Sequence, residues 1–182
     1  TAATFWAVTF GLRFSGMSGT RYSLAVNGNM KGDFVSSNDL AYIYDPNAAN
    51  TPEYLRVGIQ KILDNPDVEE HAKDYIKNSF GKIAERNNGV NGFYGVFDVR
   101  VAKKFNLYKT HNLEASIDIF NVANLLSKDW GAGHNLTKQN IYGIKSFDKA
   151  TNQFVYNMNA NTGVSNLNGN PYQIQLGLRY GF

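Results

Sequence analysis

The chain has 182 residues, enough for a domain with a sizeable core, and a net charge of +3, too small and too scattered for a nucleic-acid footprint. It has no cysteine, which excludes disulfide scaffolds and thiolate metal sites, and no apolar run approaches the ~18 residues a spanning helix requires. With 11 tyrosines, 12 phenylalanines and 17 glycines at 43% hydrophobic content, the composition points instead to strands and tight turns.

Alternation with a period of two, the mark of a strand with one apolar face, recurs five times. In "TFWAVTFGLRF", Trp6, Val8, Phe10, Leu12 and Phe14 share one face and Arg13 lies on the other. A short turn leads to "RYSLAVN", with Tyr22, Leu24 and Val26 opposite Arg21. "FYGVFDVRVAKKF" sets Phe97, Val99 and Val101 against Asp98 and Arg100, with Lys103 an exception near one end. After "NLYKT", "HNLEASIDIF" sets Leu113, Ala115, Ile117 and Ile119 against Glu114 and Asp118. The closing "NPYQIQLGLRYGF" places Tyr172, Ile174, Leu176, Leu178, Tyr180 and Phe182 on one parity and Arg179 on the other. A lipid-facing Arg or Lys at a bilayer midplane costs ~2–4 kcal/mol, whereas a barrel lumen accepts charge, so this segregation predicts transmembrane strands of an antiparallel β-barrel. Trp6, Phe10, Leu24, Phe97 and Ile117 are expected to face lipid. Arg13, Arg21, Asp98, Arg100, Glu114, Asp118 and Arg179 are expected to face the lumen.

Short connections alternate with two long ones, from about Gly28 to Gly92 and from about Ala123 to Gly169. Short periplasmic turns and long extracellular loops are the outer-membrane pattern. With Phe182 periplasmic, the closing strand runs inward, the fourth outward, the third inward, the second outward and the first inward, which leaves both long loops outside the cell. In the first loop, Thr51-Pro52 and Asn65-Pro66 are read as capped helix starts. Leu55, Ile59, Ile62 and Leu63, then Val68, Ala72, Tyr75, Ile76, Phe80 and Ile83, repeat at helical spacing and predict two helices, the second ending near Asn88-Gly89. In the second loop, residues 141–158 read as an extracellular hairpin turning between Asp148 and Asn152, in preference to two further spanning strands, because Gly143, Lys145 and Asp148 suit lipid poorly.

No catalytic constellation emerges. "VEEHAKD" is not a zinc helix, and its acids complement a helix dipole. His111 and His134 stand alone, and Asp33, Asp39 and Asp45 fit no calcium loop, so turn chemistry is the reading for them. No signal peptide, cofactor, metal site or enzymatic activity is expected.

Taken in order, the motifs resemble the C-terminal end of an Oar-like TonB-dependent outer-membrane receptor, the type with a carboxypeptidase-regulatory-like N-terminal domain. The resemblance rests on "SGTRYS" followed by "NDLAYI", on "ERNNGVNGFYGVFDVRVAKKF" with Arg86, Asn87 and Asp98, and on "ASIDIFNVANLLSKDWG" with Trp130-Gly131. "YQIQLGLRYGF" is similar to the terminal signal read by the barrel assembly machinery, carried by Tyr172, Ile174, Leu176, Leu178, Tyr180 and Phe182. Gly92 and Phe93 stand where family members usually carry a proline. The resemblance implies residues 1–182 as the last strands of a barrel of about 22, with the plug and TonB box elsewhere in a longer protein. Five or seven strands cannot close a barrel, since closure begins at about eight. It further implies energy-coupled uptake of a bulky nutrient at a Gram-negative outer membrane, with the TonB system, lipid and lipopolysaccharide as partners. A structural or adhesive barrel, and a soluble barrel with its apolar face inside, are the alternatives.

Overall fold

The computed structural model describes residues 2–5, 8–36, 38–136 and 139–182, the first of these ranges by its backbone alone. In chain order, β1 (Ala2–Phe5), β2 (Val8–Met17), β3 (Arg21–Tyr22), β4 (Ala25–Asn27) and β5 (Tyr42–Ile43) precede helices α1 (Glu53–Asp64) and α2 (Glu70–Asn78). Then come β6 (Lys82–Ile83), β7 (Gly89–Val90), β8 (Tyr94–Asn106), β9 (Asn112–Phe120) and the short α3 (Val122–Leu126). β10 (Gly133–Leu136), β11 (Asn140–Asp148), β12 (Gln153–Met158), β13 (Ser165–Asn168) and β14 (Gln173–Gly181) complete the order. Strands make up 45% of the chain and pair mostly antiparallel, as the alternation predicts, but among the described residues they close no barrel. The chain divides into two compact units, residues 1–18, 92–133 and 167–182 in one, and 19–91 with 134–166 in the other.

The first unit is a five-stranded sheet in the order β1-β2-β8-β9-β14. Its register carries the parity of each strand across to its neighbours. Phe10 lies opposite Val101, Val101 opposite Ile117, and Ile117 opposite Leu176. Leu12, Val99, Ile119 and Ile174 form the next such row. Four alternating strands therefore merge into one apolar face, and its side chains are open to the surroundings: Leu176 is 75% exposed, Leu178 74% and Phe182 92%. Lys103, the one charge of that parity, sits near the short-turn end with its ammonium 5.2 Å from the centre of the Phe105 ring. There its stem can lie along apolar surface while the charge reaches water.

Two expectations about the early strands need correction. Phe5 lies opposite Val8, so "TFWAVTFGLRF" is not one strand but parts of the antiparallel β1 and β2; Trp6 lies outside the described residues. β2 then pairs directly with β8, so Val8–Met17 holds the place expected of the second strand and runs opposite to the direction first assigned to it. "RYSLAVN" is no member of this sheet. It splits into β3 and β4, with Tyr22, Leu24 and Val26 fully buried in the second unit. Leu24 thus packs against protein and not lipid.

The outcome strengthens the loop asymmetry. β8 and β9 join through a tight turn in which the Leu107 amide donates to the His111 carbonyl at 2.9 Å. The connections from β2 to β8 and from β9 to β14 both leave from the opposite end of the sheet.

Those two connections build one core in the second unit. α1 contributes Leu55, Ile59 and Ile62, α2 contributes Ala72, Tyr75 and Ile76, and the second connection adds Leu136, Ile141 and Tyr142. Spacing of i, i+4, i+7 in α1 and i, i+3, i+4 in α2 puts each helix's apolar residues on the stripe that is buried. The caps differ from expectation. Thr51 Oγ1 donates to the Asp45 carbonyl at 2.6 Å instead of capping α1, and Asn65 Oδ1 accepts from the Asp67 amide at 2.9 Å in a turn before α2. α2 ends at Asn78, well short of Asn88, because Gly81 at φ +73° turns the chain; Ile83, read as its last apolar residue, is exposed on β6. β11 and β12 form the expected hairpin, which belongs to this unit, where β11 also pairs in parallel with β4.

Burial pushes the Tyr22 and Tyr142 phenols far above their ordinary value, since neither phenolate would be solvated. Their contribution to stability is fully present below about pH 10, the unfolded value, and is lost as pH rises from there toward the folded values. Phenolate absorbance should therefore show a late fraction that ionises only as the second unit unfolds. A single transition of all 11 tyrosines near the free value would contradict this burial.

Candidate ligand-binding face

The other face of the sheet gathers the charged residues. β8 and β9 set Arg100 opposite Asp118, and the register carries Arg13 opposite Asp98 and Arg179 opposite Glu114. Arg100 Nη1 donates to both oxygens of Asp118 at 3.0 Å, and its Nη2 lies 3.5 Å from Glu114. One guanidinium thus ties two carboxylates of β9 to β8. Among the described residues Arg13 and Arg179 form no ion pair. Arg21 is not on this face. Its Nη1 donates to the Asn87 carbonyl at 3.2 Å within the second unit.

Where β9 ends, Asn121 reverses the chain with φ +52° and is buried. Its amide donates to Asp98 Oδ1 at 2.9 Å. Its Nδ2 donates to the carbonyls of Gly131 at 3.0 Å and Asn170 at 2.8 Å. Asn124, one turn on, donates through Nδ2 to the carbonyls of Lys128 and Trp130, and its Oδ1 accepts from the Tyr172 amide at 3.2 Å. Two asparagines spaced i, i+3 after a strand therefore hold the start of β14 and the Trp130-Gly131 turn against the sheet end. Gly131 is required twice over, by its φ of +67° and because a Cβ there would stand 1.8 Å from Asn121 Oδ1. Replacing Asn121 by Ala removes both side-chain bonds and leaves a non-glycine residue in the left-handed region, so a loss of about 1–3 kcal/mol is expected, read as a fall in denaturant midpoint. An unchanged midpoint would show that the two carbonyls have other donors.

This clamp frames one side of a cavity of about 490 Å³ on the polar face. Tyr94, Asp98, Phe120 and Gln173 line it from the sheet, and Asn168 and Asn170 from the returning segment. The size lies within the range of small-molecule pockets. Of this lining, parity singles out Asp98 alone; Asn168 and Asn170 carry no signal in the sequence and are brought to it only by the fold.

The remaining candidate groups have structural partners. Asp33 accepts from the Asn38 side chain and the Val35 amide, which hold its carboxyl below the ordinary range, and Asp45 accepts from the Asn47 amide. Asp39 accepts from the Met30 amide at 2.7 Å and lies 3.2 Å from Lys31. His111 Nδ1 is 2.6 Å from Tyr180 Oη, and His71 Nδ1 is 3.0 Å from Tyr22 Oη. His134 and the Ser165 hydroxyl both meet Glu69 at the start of α2, with His134 Nδ1 3.4 Å from the carboxylate. Both groups approach the same His134 nitrogen region, and the serine donates to Glu69, so His134 is not placed to take the serine proton as a general base. Arg86 and Asn87 stitch the second unit together: Arg86 reaches the Asn38 carbonyl, and Asn87, at φ +57°, exchanges hydrogen bonds with Ser23. No family model, curated protein or solved structure matches this chain.

Proposed function

We propose that the chain forms the last strands of an outer-membrane β-barrel receptor that imports a bulky nutrient through the TonB system. The observation that carries this reading is the exposed apolar face running in register across β2, β8, β9 and β14, backed by a charged opposite face. A soluble sheet would cover such a face with helices or a second sheet, whereas lipid covers it in a barrel wall. In this reading the edges of β1 and β14 pair with further strands, because unpaired backbone groups in hydrocarbon cost several kcal/mol each. The polar face lines the lumen, and the two long connections, which build the second unit, lie outside the cell. The residues of the terminal signal, Tyr172 to Phe182, act in assembly. The motif resemblance supplies the coupling to TonB, and the barrel assembly machinery and lipopolysaccharide follow as partners.

The test compares cells with and without the full-length gene for growth on a panel of scarce nutrients, with and without a protonophore. The expected result is a protonophore-sensitive uptake defect for one nutrient class. Intact uptake of every nutrient together with lost surface attachment would favour an adhesive barrel instead.

A further inference from the structure

We infer that the cavity between the end of the polar face and the segment from Asn168 to Asn170 is a subsite for a neutral sugar ring of an oligosaccharide. The inference rests on the receptor reading and specifies what this part of the wall would recognise. No lysine or arginine lines the cavity, although Arg13 and Arg100 lie on the same face, so a carboxylate or phosphate would find no counter-charge there. Among the described residues, the side-chain amides of Asn168, Asn170 and Gln173 make no hydrogen bond to protein. Each can donate and accept at once, as sugar hydroxyls do. Asp98 commits one oxygen to the Asn121 amide, and its second oxygen has no donor among the described residues, which suits a hydroxyl that must donate. Tyr94 and Phe120 give the lining two aromatic side chains on which the apolar face of a ring can rest.

The clamp supplies preorganisation. Asn121 fixes the carbonyls of Gly131 and Asn170, so the walls on either side of the opening are held before any ligand arrives. A peptide strand would instead need an open sheet edge for its backbone, and the cavity lies on the face of the sheet.

The experiment uses the full-length receptor in detergent, with heat-modifiable migration on gels as the check that the barrel is folded. The probes are neutral gluco-, manno- and xylo-oligosaccharides, an oligogalacturonate, a chitosan oligomer and an uncharged peptide. At least one neutral oligosaccharide should bind, with affinity weakened about tenfold or more by Tyr94→Ala and by Gln173→Ala and unchanged by Lys109→Gln in the tight turn at the other end of the sheet. Should either variant lose the barrel signature, Asn168→Cys on the exposed segment gives a second reading, since the bound sugar should slow its labelling by a maleimide. A folded barrel that binds none of the neutral sugars overturns the inference and leaves the receptor reading standing. So does tighter binding of a charged probe or the peptide, or sugar binding indifferent to both substitutions and giving no protection at Asn168→Cys. Absence of the barrel signature from the unsubstituted protein would defeat the receptor reading and this inference with it.

Discussion

Under the proposed barrel-wall reading, Ile117→Arg should cost about 2–4 kcal/mol in a lipid bilayer and sharply reduce the abundance of the protein in the membrane. Ile117 stands in the middle of the sheet between Val101 and Leu176, so an arginine there cannot snorkel easily to either rim. Gln175→Arg is the matched control. It adds the same side chain one residue along β14 on the opposite parity, directly across from Asp118, where the ion network can receive it. Refolding into lipid vesicles with urea titration measures the difference. If both substitutions cost the same, the two faces do not differ in environment and the wall reading loses its basis.

The second large effect lies in the loops. Ile59 is fully buried in a core shared by the two long connections, and Ile59→Ala should destabilise that unit by about 2–5 kcal/mol. Because Ile141 and Tyr142 belong to the same core, amide exchange should accelerate across β11 as well as α1, although the two are far apart in sequence. The amides of β9 and β14, held by the sheet's own ladder, should keep their protection. Acceleration confined to α1 would mean that the connections fold separately.

The parts of the fold that were legible in the sequence are those where a period of two ran through a strand of nine or more residues, without a break in β9 and β14 and with only Lys103 out of place in β8. Alternation states that one face is apolar, but not what covers it. Leu24 and Ile117 therefore looked alike, and only tertiary packing separates the buried core residue from the exposed sheet residue. The split between β1 and β2 carries none of the Gly, Pro, Asn or Asp residues that usually announce a reversal, so the alternation seemed to continue through Trp6. The end of α2 was misplaced because Phe80 and Ile83 keep helical spacing beyond Gly81, whose left-handed backbone ends the helix. At the candidate site, the charges on the polar face were legible from parity. The Asn121 clamp was not, because its value depends on two carbonyls, at Gly131 and Asn170, that the fold brings together.

The central claim is that one face of this sheet meets lipid and the other an aqueous lumen. Spin labels at Phe97, on the apolar face, and Asp118, on the polar face, test it directly in the full-length protein reconstituted in bilayers. The label at Phe97 should be relaxed strongly by oxygen and weakly by a polar quencher, and the label at Asp118 should show the reverse. Equal accessibility to both quenchers at the two positions would contradict the claim.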